Sequence, residues 1–113
     1  MKTIDTNIPK ILLVNHNLED LVLLKTILEP IELNFYIATN GVDALKSVDE
    51  NNFDIILIDI EIPDIDGYKV CRKIKNSETN SYIPVLLLSS FGTYEDKMKT
   101  FKSGADDYLI RPL

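Results

Sequence analysis

Asp54-Ile55-Ile56-Leu57-Ile58-Asp59-Ile60-Glu61-Ile62-Pro63-Asp64-Ile65-Asp66-Gly67 sets a short aliphatic run between two acids and follows it with a proline and a glycine. A continuous apolar run of this length, bounded by turn formers, reads as a strand buried on both faces, and such strands belong to parallel sheets. In open α/β sheets, chemistry gathers outside the carboxyl ends of the strands. Asp59 stands at that end. It is the first candidate functional residue, because an acid closing an apolar strand is costly unless it is used or paired.

The flanking sequence repeats the pattern. Ile11 to Val14 is a second short apolar run, followed by Asn17 as an N-cap with Asp20 three residues on. A helix with Leu18, Leu21, Val22, Leu24 and Leu28 inward follows and ends at Pro30. Leu33 to Ala38 reads as a strand, and Thr39-Asn40-Gly41 turns into a helix with Val42, Leu45 and Val48 on one side. After Gly67, Tyr68 to Ile74 reads as a helix with Val70 and Ile74 inward, and Pro84 to Leu88 as a strand with Ser89 and Ser90 at its end. Thr93 and Asp96 start a last helix with Tyr94, Met98 and Phe101 inward. Gly104 stops it, and Tyr108 to Ile110 is a fifth strand. Five strands alternating with four helices predict a doubly wound parallel sheet with right-handed crossovers. Its functional edge would collect Asn15, His16, Asp59, Ser89 and Arg111.

Length and composition fit this picture. The chain has 113 residues, enough for one core, with 45% hydrophobic and 27% charged residues. Its net charge of -6 opposes unspecific binding to nucleic acid. That charge is uneven: residues 1–66 hold 13 acids and 4 bases, residues 67–113 hold 5 acids and 8 bases. One cysteine, Cys71, excludes an internal disulfide and reads as an inert helix residue. There is no membrane-length apolar run and no signal core at the start, so a cytoplasmic location is expected.

The motifs ILLV (11–14), DIILIDIEIPDIDGYKV (54–70), IPVLLLSS (83–90) and GADDYLIRP (104–112) resemble those of response-regulator receiver domains. The resemblance covers residues 10–113 and leaves residues 1–9 as an N-terminal extension. It implies a flavodoxin-like α/β fold with strand order 2-1-3-4-5. It also implies a function in two-component signalling, where a histidine kinase passes a phosphoryl group to the aspartate at Asp59. By the same resemblance Glu61 lends a backbone carbonyl to Mg²⁺, Ser89 is the hydroxyl near the phosphoryl group, and Tyr108 is the switch aromatic. The family's fifth helix is missing from this chain. A cut from a longer regulator is the preferred explanation, and the sheet face left bare suggests a homodimer.

The departures fall on the chemistry. Asn15 and His16 stand where the family has two acids, and Arg111 where it has lysine. Losing both acids takes the formal charge around the metal from about -3 to about -1, and Mg²⁺ prefers hard oxygens to imidazole. Glu19 and Asp20 lie in the first helix and are not expected to reach the site. The leading expectation is a degenerate receiver that acts through protein–protein interaction, not as an enzyme. In it no cofactor is held beyond weak Mg²⁺, phosphorylation of Asp59 is weak or lost, and His16 and Arg111 hold Asp59 in an ion-paired arrangement. The partner would be a histidine kinase or another signalling protein, not nucleic acid or membrane. Alternatives are a conventional phosphoacceptor, with Mn²⁺ or Zn²⁺ held by His16, Asp59 and a carbonyl, and a distant small phosphohydrolase; His16 as a pH switch is a further reading. Plainer roles also exist: Asn15 as an Asx-turn, Ser89 as a strand-end cap, Arg111 at the surface and Tyr108 as strand packing. Asp64-Ile65-Asp66-Gly67 fails as a calcium loop, since Ile62 and Lys73 fall at its first and twelfth ligand positions.

Overall fold

In the computed structural model, which describes residues 8–90 and 92–112, alternate residues of each central strand point into two separate cores. The elements are β1 (Lys10–Val14), α1 (Leu18–Leu28), β2 (Asn34–Ala38), α2 (Gly41–Glu50), β3 (Ile55–Asp59), α3 (Gly67–Lys75), β4 (Val85–Ser89), α4 (Tyr94–Lys102) and β5 (Asp107–Ile110). The five strands pair in parallel in the order β2-β1-β3-β4-β5. Of the expected N-terminal extension, residues 1–7 lie outside the described residues, as does Leu113.

The two-residue period of a strand divides the core. Leu12, Val14, Ile56, Ile58 and Leu87 face α2 and α3, where Ala44, Val48, Val70, Cys71 and Ile74 meet them. Ile11, Leu13, Leu57 and Leu88 face α1, which supplies Leu21 and Leu24. Each fully buried aliphatic side chain contributes roughly 1.5–3 kcal/mol relative to exposure. α1 alone covers its face incompletely. Leu24, Ile27, Leu86, Leu109 and Ile110 line an apolar groove of about 420 Å³ there, the bare sheet face expected from four helices on five strands.

Three helix faces depart from the sequence expectation. In α1 the inward stripe is Leu21, Leu24 and the half-buried Leu28, whereas Leu18 and Val22 are 74% and 58% exposed. At 3.6 residues per turn these two lie about 90° or more from the stripe's centre. In α2, Val42 is exposed and Ala44 is inward. The spacing of Val42, Leu45 and Val48 drifts by about 60° at each step, so only part of it can face one sheet. In α4, Tyr94 and Phe101 are 78% and 80% exposed, Met98 is half-buried, and Thr100 is buried. The caps at Thr93 and Ser103 set the helix register, and a small polar stripe through Thr100 and Ser103 turns inward. Those groups are satisfied locally: the Ser103 hydroxyl donates to the Thr100 carbonyl at 2.6 Å, and the Cys71 thiol to that of Ser103 at 3.5 Å.

One detail fixes the functional edge and another the opposite one. Gly67 starts α3 so close to β3 that a methyl group there would lie 2.5 Å from the Asp59 carbonyl oxygen and 2.6 Å from Ile60 Cα. At the opposite edge, where β4 and β5 begin, Lys75 Nζ bridges Asp106 and the Ile83 carbonyl, each at 2.6 Å, while Asp106 accepts from Val85 N at 2.8 Å. Gly67→Ala is expected to cost about 1–3 kcal/mol through the forced shift of backbone. Urea denaturation checks it: the midpoint falls while the slope stays that of the parent.

Candidate functional site

Asp59 ends β3 with its side chain 2% exposed, and each of its carboxylate oxygens has a donor. Oδ1 accepts from the Glu61 backbone N–H at 3.0 Å, in the tight turn that leaves the strand. Oδ2 accepts from Arg111 Nη2 at 2.8 Å. Arg111 follows β5, and its backbone N–H continues the ladder onto the Ser89 carbonyl at 2.8 Å. The neighbouring strand thereby aims the guanidinium across β4 at β3.

The same guanidinium holds a second acid. Arg111 Nε donates to Asp20 Oδ2 at 3.1 Å, Nη2 also reaches that oxygen, and Nη1 donates to Ser90 Oγ at 3.2 Å. Asp20 is therefore part of the site, contrary to the expectation that a residue within α1 could not reach it. The reason is local. Asn17 caps α1 by accepting from Asp20 N, which places Asp20 in the first turn, directly above the carboxyl edge of the sheet. Its side chain, released from capping, points over that edge.

Asn15 and His16 separate. Asn15 is 1% exposed, and its Oδ1 accepts from Asn17 N at 2.8 Å, an Asx-turn that carries the chain from β1 into α1. Its Nδ2 donates to Asp20 at 3.3 Å, so it also belongs to the polar cluster. The turn that directs Asn15 inward directs His16 into solvent, and none of the described hydrogen bonds of the site reaches it. Of the expected partners of Asp59, Arg111 is in place and His16 is not, and Arg111 takes Asp20 as its second acid. Ser89 is buried at the end of β4, and Tyr108 is half-buried against the core beside β4. Glu61 touches Asp59 through its amide while its side chain is exposed. Asp64, at φ 67°, ties the loop after β3 to the start of α2 by accepting from Gly41 N at 2.8 Å and Val42 N at 3.2 Å. Asp tolerates that left-handed backbone better than most residues.

The electrostatics follow from this arrangement. The hydrogen bond from Arg111 outweighs burial and holds the Asp20 carboxyl below its ordinary value. For Arg111, burial opposes the charge, but the two acids prevail and raise its pKa further. Opposite charges about 4 Å apart attract by about 4 kcal/mol at an effective dielectric of about 20, before desolvation is subtracted.

The chain matches the family model described as "Response regulator receiver domain" over residues 11–113. It belongs to the receiver domain family. Among curated relatives, the DNA-binding dual master transcriptional regulator RpaA of Synechocystis is 34% identical over 109 residues, covering 92% of this chain and 43% of that protein. The chain thus spans less than half the length of that relative. Among solved structures, the receiver domain of the Francisella response regulator 1452 superposes with a TM-score of 0.83 at 32% identity, covering 93% of this chain and 85% of that one. The receiver domain of sensor histidine kinase PA1611 from Pseudomonas aeruginosa gives a TM-score of 0.85 at 26% identity, covering 94% and 87%. That structure carries a magnesium ion coordinated in its active-site cleft.

The donors of the present receiver do not suit such an ion. Asp20 and Asp59 are the acids at the edge, and both are engaged by Arg111. Asn15 offers a neutral amide, and its oxygen is committed to the Asx-turn. Among the described residues no group of three or more His, Cys, Asp or Glu side chains converges as a metal site, and His16, turned into solvent, has no described contact with Asp59, which the His16-centred Mn²⁺ or Zn²⁺ alternative needs. A dication about 4 Å from the guanidinium would meet a repulsion of about 8 kcal/mol at the same dielectric.

Acid should expose the ion pairs. Asp20 and Asp106 both have lowered folded-state pKa values, Asp20 through Arg111 and Asp106 through Lys75 and the Val85 amide in spite of burial. Their contribution to stability is present above the ordinary carboxylate value of 3.8 and is lost as pH falls through the lower folded values. Asp20→Asn is expected to lower stability at neutral pH and to flatten the loss below that value. Urea midpoints measured across the acid range, parent against variant, check both signs.

Proposed function

We propose that this receiver acts in two-component signalling chiefly through protein–protein contact, with Mg²⁺-dependent phosphorylation of Asp59 weak or lost. The observation that carries the reading is the Arg111 guanidinium seated on both Asp59 and Asp20. For Asp59 to attack a phosphoryl group, Oδ2 must leave an ion pair in a buried position, and the incoming group brings negative charge of its own. Arg111 supplies one positive charge, already shared between two carboxylates. Its planar, forked head also serves two acids at once, which a compact ammonium does not.

Residues 10–113 form the receiver in this reading, with residues 1–9 an extension to it, acting as a part of a longer regulator. The partner is a histidine kinase or another signalling protein, or a second copy of the domain. Leu18, Val22, Leu23 and Ile27 are exposed on α1 and offer apolar surface for such contact. The net charge of -6 disfavours nucleic acid as a partner of this domain. No helix among the described residues is long and apolar enough to cross a membrane, and the proposed site of action is the cytoplasm.

Incubation with a small phosphodonor and Mg²⁺, followed by intact mass, tests the acceptor. The expected spectrum shows the unmodified chain, with at most a slow, minor phosphorylated fraction. Rapid stoichiometric phosphorylation that disappears in Asp59→Asn would overturn the proposal.

A further inference from the structure

Two anionic oxygens, one from α1 and one from β3, converge on a single nitrogen, Arg111 Nη2. The rest of the side chain is held as firmly: Nε on Asp20 at 3.1 Å, Nη1 on Ser90 at 3.2 Å, and the backbone N–H on Ser89 at 2.8 Å. With 21% of its side chain exposed, Arg111 is not a solvated surface arginine. It joins the ends of β3 and β5 and the first turn of α1 through one charged group.

We propose that the Arg111 guanidinium is the resident cation of this edge, taking the role that a divalent ion plays in a metal-binding receiver, so that the site assembles in a metal-independent state. The inference rests on reading the chain as a receiver with an altered acceptor site, and it names what neutralises that site. The chemistry supports it at each contact. Two carboxylates brought together at a buried edge repel one another and need a cation between them. An exchangeable ion meets that need only when present, whereas a covalently attached one meets it always. Arginine suits the task because it stays protonated and because its fork reaches acids on two different elements. Asn15 completes the arrangement: its neutral Nδ2 donates to Asp20 at 3.3 Å, where another carboxylate would leave the single guanidinium charge facing three acids.

The test uses Mg²⁺ and Mn²⁺ alone, without phosphodonor. Thermal melts of the parent, Arg111→Gln, and Arg111→Gln combined with Asp20→Asn are recorded with and without MgCl₂, and amide signals are followed during Mn²⁺ titration. The parent should melt at the same temperature with and without metal and show no saturable broadening at Asp20, Asp59 or Glu61. Arg111→Gln should melt lower, regain stability with Mg²⁺ because an ion that binds only the folded state stabilises it, and show Mn²⁺ broadening at those amides. Adding Asp20→Asn should abolish that response. If Arg111→Gln folds only when metal is added, that dependence supports the proposal. If it does not fold at all, Arg111→Lys takes its place, since a compact ammonium keeps a cation there but releases one acid; a metal response greater than the parent's is expected. Saturable Mn²⁺ binding at the parent site would overturn the proposal, as would a variant whose metal response equals the parent's. Repeating the phosphodonor incubation with EDTA in place of Mg²⁺ separates the two readings: phosphorylation of Asp59 there would end the reading of a lost acceptor yet leave the resident cation standing. Metal binding by the parent would do the reverse.

Discussion

A carboxylate closing a strand that is buried on both faces has to be compensated within the fold, and Asp59 imposes that requirement on its neighbours. Exposed by only 2%, it accepts from the Glu61 amide on one oxygen and from Arg111 on the other. Removing one partner of such a pair leaves a buried charge alone and costs about 3–5 kcal/mol. The elements around it are placed accordingly. β5 delivers the guanidinium, α1 brings Asp20 to share it, and Gly67 lets α3 begin against the last residues of β3.

The charge that compensates Asp59 also decides what the edge can do. A guanidinium carried on the residue after β5 is tethered to the chain and does not leave, and arginine stays protonated across the ordinary pH range. An edge neutralised by an exchangeable ion has two compositions, while one neutralised by Arg111 has a single composition. The receiver fold is thereby kept intact while the Asp59 carboxylate is occupied by Arg111. Similarity to receivers that coordinate magnesium describes the scaffold shared with them; the donors on this particular edge differ.

Much of the architecture was legible along the chain. Short aliphatic runs followed by polar strand ends located all five strands to within a residue or so, and Asn17, Thr93 and Gly104 marked helix ends where the structure has them. Helix faces were less legible. Tyr94 and Phe101 are large and apolar, yet α4 turns Thr100 inward, because its caps and its neighbours set the rotation and hydrophobicity alone does not. The candidate site was legible in part. Asn15, Asp59, Ser89 and Arg111 gather at one edge, and Tyr108 lies against the core beside it. From sequence alone Asp20 is set aside, because it lies within the first helix, and Ser90 is only the residue after Ser89. The first-turn position of Asp20 above the strand ends was the available signal.

Local chemistry along the chain determined which segments become strands, where helices begin, and that Asp59 closes a buried strand, because burial and hydrogen-bonding demands act over a few neighbouring residues. Which cation answers that acid was a matter of tertiary structure. Asp20, Asp59 and Arg111 are separated by 39 and 52 positions in the chain, and only the parallel register of β3, β4 and β5 with α1 folded over their ends brings them together. His16 adjoins Asn15 in sequence but is turned into solvent by a single Asx-turn, while Arg111, at the far end of the chain, occupies the site. Sequence proximity constrains direction poorly, since neighbouring side chains diverge; strand pairing fixes direction, and it placed the guanidinium where the carboxylates converge.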